Sequence, residues 1–123
     1  VAIIVAILAA VAIPLMTANK RRAIATEAEA ACGTIKTALR IYYAESNAYP
    51  TVGAGTLATT LTGIGTNDLN GTYFSTACYT FQSAPATFTI TATGNNSAAP
   101  KAADAAGIAI TLNQDGTFVR TGL

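Results

Sequence analysis

The chain has no histidine and no tryptophan, one methionine and two cysteines in 123 residues. The missing histidines remove the commonest general base and the commonest metal ligand. Charged side chains make up only 11% of the residues, where about a quarter is usual. The formal net charge of +1 gives no general attraction to nucleic acid or anionic lipid. The carboxylates Glu27, Glu29, Glu45, Asp68, Asp104 and Asp115 are scattered, with no paired acid and no nucleophile elbow. Gly53-Ala54-Gly55 lacks the Gly-Lys-Ser/Thr that completes a phosphate loop. Asn113-Gln114-Asp115-Gly116 carries one carboxylate and reads as a turn rather than a calcium loop. No enzyme activity, cofactor, metal or nucleic-acid partner is expected.

What the chain does have is an apolar opening. Val1 to Met16 carries no charge and runs straight into Lys20-Arg21-Arg22. At about 1.5 Å per residue this run covers roughly 24 Å, against a hydrocarbon core of about 30 Å. It has neither the leading basic residues nor the small-x-small exit of a signal peptide, so upstream residues are expected. Pro14 lacks a backbone donor and invites a kink or a local loss of helix; in hydrocarbon, neighbouring helices satisfy the freed carbonyl.

From Ala23 the pattern becomes a stripe. Ile24, Ala28, Ala31, Ile35, Leu39 and Tyr42 or Tyr43 recur at three- and four-residue steps, which predicts an amphipathic helix covering a core. Lys20, Arg21, Arg22, Glu27, Glu29, Lys36 and Arg40 fall on the other face, and no opposite-charge pair among them has i,i+3 or i,i+4 spacing. These charges are either solvated or paired between subunits; Lys20, Arg21, Arg22, Glu27 and Glu29 are the candidates for intersubunit pairing. Ser46-Asn47 and Pro50 end the helix. A single helix of about 45 residues would be close to 70 Å long.

Beyond it, residues 51–70 read as a Gly- and Thr-rich surface loop with a helical turn near Leu57–Leu61. Four strands are predicted: Thr72–Phe81, Thr87–Thr93, Ile108–Leu112 and Thr117–Arg120. Asn113-Gln114-Asp115-Gly116 joins the last two as a hairpin turn. Residues 95–106 read as an exposed connection. Tyr42, Tyr43 and Tyr49 are assigned to core packing. Asn70-Gly71-Thr72 and Asn95-Asn96-Ser97 match the glycosylation pattern. The expected fold is α+β: a long N-terminal helix on an antiparallel sheet of about four strands. Residues 1–22 form a hydrophobic helix segment. Residues 23–123 form one globular domain, made of the amphipathic helix half, the 51–70 loop and the 72–123 sheet.

Cys32 and Cys78 either close a disulfide or are two buried free thiols. Export or membrane attachment favours the disulfide, whose large loop would stabilise by roughly 4 kcal/mol. The disulfide and the basic cluster disagree about orientation, since the positive-inside rule places residues beside Lys20-Arg21-Arg22 in the cytoplasm.

The stretch AIIVAILAAVAIP, followed by an amphipathic helix ending in IYYAESNAYPT, resembles the type IV pilins and their secretion pseudopilin relatives. The match covers roughly residues 1–51, with the apolar run, Pro14 and the Tyr49-Pro50-Thr51 exit in the family's order. The resemblance implies a prepilin peptidase that removes a basic leader and methylates the new N terminus. It places Val1 about eight residues beyond that end, so the family's Phe and Glu are not in this chain. A basic leader would also put the body outside the cytoplasm.

The function implied is a structural subunit that waits in the inner membrane and is extruded by the assembly machinery into a homopolymeric cell-surface pilus. A type II secretion pseudopilin is the alternative, though the acid-rich calcium loop of major pseudopilins is missing. The filament core would take Val1, Ile3, Ile4, Val5, Ile7, Leu8, Val11, Ile13 and Leu15. Helix would be lost between Ala6 and Pro14 in the filament.

Overall fold

The computed structural model describes residues 2–122; the side chains of Ala2, of residues 8–18 and of Asn96 are outside the described set. The expectations for Val1, and for the side chains of Leu8, Val11, Ile13, Pro14 and Leu15, therefore lie outside the described residues.

The chain opens with helix α1, Ala2–Ser46. Its C-terminal half forms because Ile24, Ala28, Cys32, Ile35 and Leu39 share one face, and all are buried. Asn47 ends it in the left-handed conformation at φ 60, donating its N–H to the Tyr43 carbonyl at 2.7 Å. Asparagine tolerates that backbone and satisfies a carbonyl the helix leaves open.

Five antiparallel strands follow: β1 (Val52–Leu57), β2 (Tyr79–Ala84), β3 (Thr87–Thr93), β4 (Ala109–Asn113) and β5 (Phe118–Thr121). They pair in sequence order as a meander. A one-turn helix α2, Ala102–Ala105, lies between β3 and β4. The architecture is α+β, with α1 packed against β3, β4 and α2. Phe81, Ile90 and Leu112 stand in one cross-strand row, and Tyr79, Ala92 and Ile110 in the next. These inward side chains meet the buried stripe of α1 as a single core.

The sheet has five strands rather than about four. The extra one, β1, lies in the stretch expected to be a loop. Its Gly53, Ala54 and Gly55 have no side chains suited to a pleated surface. It exists because β2 offers an open edge, and its register shifts between Val52 and Thr56, where Gly55 adopts φ 83. Such a bulge bends an edge strand. The expected turn near Leu57–Leu61 is a 3-10 helix at Ala58–Thr60.

The first expected strand was placed too early: Thr76–Cys78 is a 3-10 helix and pairing begins at Tyr79. The expected exposed connection also holds buried structure. Ala105 of α2 packs under Gly94, where an added Cβ would lie 1.9 Å from the Ala105 carbonyl oxygen. Only Tyr49 of the three tyrosines joins the core, stacked edge-on to Phe88 at 5.0 Å. Tyr42 and Tyr43 are exposed.

Candidate assembly surface

The described apolar residues near the start of α1 have no cover within the chain. Ile3 is 77% exposed, Ile4 64%, Val5 60% and Ile7 60%. Ala6 is exposed with them, and the helix is assigned without interruption through Ala6 and Pro14. Among the described residues, no helix is long and apolar enough to cross a membrane.

Four of the five charges considered for intersubunit pairing are engaged inside the chain. Glu27, half-buried, accepts hydrogen bonds from the backbone N–H groups of Tyr73 (3.1 Å) and Phe74 (2.9 Å). A Cβ on Gly71 would lie 2.1 Å from its Oε1, so this close approach needs the glycine. Arg21 donates to the carbonyls of Gly122 (2.9 Å) and Ala106 (3.0 Å). Glu29 pairs with Arg120, which shares a row with Ile110 and so faces α1 from the last strand. The Glu29 hydrogen bond and charge push the Arg120 pKa up. Lys20 lies 3.5 Å from Asp104, with both side chains well exposed; such a pair adds about 0–1 kcal/mol. Within the chain these four charges thus meet groups of their own domain, a use that the choice between solvent and a neighbouring subunit did not anticipate. Arg22 is the one of the five without a hydrogen bond or ion pair among the described residues.

That internal use has a physical origin. A three- or four-residue search along a helix sees only neighbours on that helix. Glu27 and Arg21 instead answer backbone groups some 46 to 101 positions away. The available signal was negative: a carboxylate beside an apolar stripe, with no local partner.

A second open feature lies at the other end of α1. Ala38, Ile41, Tyr42, Glu45, Leu61 and Gly63 line a groove of about 280 Å³ between the helix and the loop following β1. Ile41 is 56% exposed within it. A neighbouring hollow lined by Thr34, Thr37 and Ile64 shares Ala38, Ile41 and Gly63, so the groove continues along the helix.

Cys32 and Cys78 are free thiols in this structure, not the disulfide that export favours. Both are buried in the same core. A buried thiol packs as a small apolar group, which accounts for both positions without a bond. Desolvation, then the nearby Glu29 charge, pushes the Cys32 thiol up to about 12. Tyr79 sits beside both thiols, and its hydroxyl is buried without a hydrogen-bond partner. Burial first, then Cys32, Cys78 and Glu27, raises its pKa well above the ordinary phenol value.

The remaining polar motifs serve the fold. Asn113 Oδ1 accepts from the N–H groups of Asp115 and Thr117, both at 3.1 Å, so it closes its own turn. Asn70 Oδ1 accepts from Thr76 N (2.8 Å) and Oγ1 (2.9 Å), and Asn95 Oδ1 from Gly107 N (2.8 Å). A glycan on either asparagine would disturb these bonds. Among the described residues, no group of three His, Cys, Asp or Glu side chains converges to hold a metal.

The class that fold and surface define is a one-domain α+β protein with a long, partly uncovered helix. A scan of protein-family models, a search of curated proteins and a search of solved structures each return no match to this chain.

Proposed function

We propose that the chain is a structural subunit that polymerises through α1 into a helical cell-surface filament of the type IV pilus kind. The observation that carries the reading is the division of α1. Its C-terminal half buries an apolar stripe in the domain, while Ile3, Ile4, Val5 and Ile7 stand uncovered at the other end. A helix of 45 residues is about 68 Å long. A domain of about 100 residues has a radius of gyration near 13 Å, so it cannot cover such a helix. Full burial of one Ile or Val side chain is worth about 1.5–3 kcal/mol, which favours any arrangement that covers the exposed end.

Lipid and neighbouring helices both suit such side chains. The reading therefore takes the inner membrane as the site before assembly and the filament interior as the final environment. It brings with it, by family resemblance, a prepilin peptidase, a methylated N terminus, pilus assembly machinery and a pilin fold. Local loss of helix between Ala6 and Pro14 belongs to the filament state. Electron microscopy of sheared cell-surface material tests the reading. Long filaments whose density fits this chain are expected; surface material with the chain present only as monomers would refute it.

A further inference from the structure

Arg22, Ala25, Thr26 and Glu29 of α1 line a cleft of about 290 Å³ together with Arg120 of β5. Two guanidinium groups from distant parts of the chain thus share one hollow. Glu29 pairs with Arg120, whose side chain is still 46% exposed. The Arg120 guanidinium also lies over the Phe118 ring, 5.4 Å from its centroid. Arg22 and Arg120 against Glu29 leave the cleft with a net positive charge, which one singly charged anion would neutralise. A guanidinium fork suits phosphate in particular, because it can donate to two oxygens at once.

Position along α1 identifies the anion. At about 1.5 Å per residue, Arg22 lies roughly 22 Å from Ile7 and roughly 28 Å from Ile3. With Arg22 at the edge of a hydrocarbon core of about 30 Å, the exposed Ile3, Ile4, Val5 and Ile7 lie inside that core. The headgroup layer is about 5–8 Å deep. Ala25 and Thr26 lie about 5–6 Å beyond Arg22, so the cleft opens within that layer. Lys20 and Arg21 stand at the same level but are turned to Asp104 and to the carbonyls of Gly122 and Ala106. Lys36 and Arg40 lie about 21 and 27 Å farther into water, beyond a Debye length of about 8 Å. The local charge therefore matters at this surface, rather than the small net charge of the whole chain.

We propose that the cleft between α1 and β5 holds the phosphodiester headgroup of an anionic phospholipid while the start of α1 lies in the bilayer. This rests on the inner-membrane stage of the reading above and names the lipid class that the stage selects. Arg22 and the Nη groups of Arg120 donate to the phosphate oxygens, and Glu29 holds Arg120 in place. A zwitterionic headgroup brings its own ammonium, which the two guanidiniums repel.

The test lets the full chain, diluted from detergent, distribute between phosphatidylcholine vesicles and vesicles in which a third of the lipid is phosphatidylglycerol. A preference for the anionic vesicles is expected. Arg22→Gln and Arg120→Gln should each lower it about fivefold, the worth of one basic side chain at an anionic surface. Lys36→Gln and Arg40→Gln should leave it within about twofold. Glu29→Gln removes the countercharge and should raise it. Equal losses from all four cation variants would mean diffuse attraction and overturn the site, as would a fall with Glu29→Gln. Inorganic phosphate that erases the preference, where chloride of equal ionic strength does not, would assign the cleft to a soluble anion. An Arg22→Gln chain that keeps the preference but loses filaments would assign it to a neighbouring copy. Equal entry into both vesicles overturns the headgroup site and leaves the membrane reading standing; a chain that enters neither removes both.

Discussion

The two halves of α1 are built from similar residues and meet different fates. From Ile24 to Leu39 the apolar positions keep to one side, and the sheet covers them. Near the start, Ile3, Ile4, Val5 and Ile7 point around the helix and stay exposed. An amphipathic stripe is completed by its own domain, whereas a helix apolar all round needs surroundings that are apolar all round. Among the described residues, the start of the helix is left uncovered by the domain, and the second half is an integral part of the fold.

Substitutions separate the halves most sharply at the exposed end. Ile4→Lys places a charge in what would become the filament interior. Loss of filaments is expected with the domain's melting temperature unchanged; a parallel fall in both would erase the distinction. In the other half, Leu39→Ala opens a cavity in the core and should cost about 2–5 kcal/mol in urea unfolding. A smaller loss would mean that the sheet closes over the gap.

Glu27→Ala leaves the Tyr73 and Phe74 N–H groups without their acceptor and should cost about 1–3 kcal/mol. Protection of those amides from hydrogen exchange should fall with it. A neutral result would make Glu27 available to a neighbouring subunit.

A further comparison is the alkaline response of the reduced protein. The folded Cys32 pKa, about 12, lies above the ordinary value of 9.0. The unfolded thiol therefore ionises first, and the stabilisation present below pH 9 is lost as the pH rises towards 12. Thermal melts across that window should show the decline, and Cys32→Ala should flatten it. No decline, together with a mass showing two fewer hydrogens, would mean that Cys32 and Cys78 are bonded. Added calcium should leave the melting temperature unchanged; a rise would favour the pseudopilin alternative.

The helix, its stripe and three of the strands were legible because periodicity records burial directly. β3 lies where the Phe88-Ile90-Ala92 alternation puts it, and Asn47 and Asn113 mark a helix end and a hairpin turn through local chemistry. β1 was not legible, since its residues carry no strand pattern and only the edge of β2 orders them. The internal partners of the charges were not legible for a related reason. Arg21, Glu27 and Glu29 look spare along the helix, and their partners are carbonyls, amides and Arg120 brought in from far along the chain.

The amino-acid sequence by itself determined that one long helix would carry a continuous apolar start and a striped continuation, because both patterns are local and repeat with the helical turn. Only the tertiary structure decided which of its charges are used internally and where the groove at Ile41 opens. Those outcomes depend on contacts between segments distant along the chain, and no spacing along a single helix specifies them.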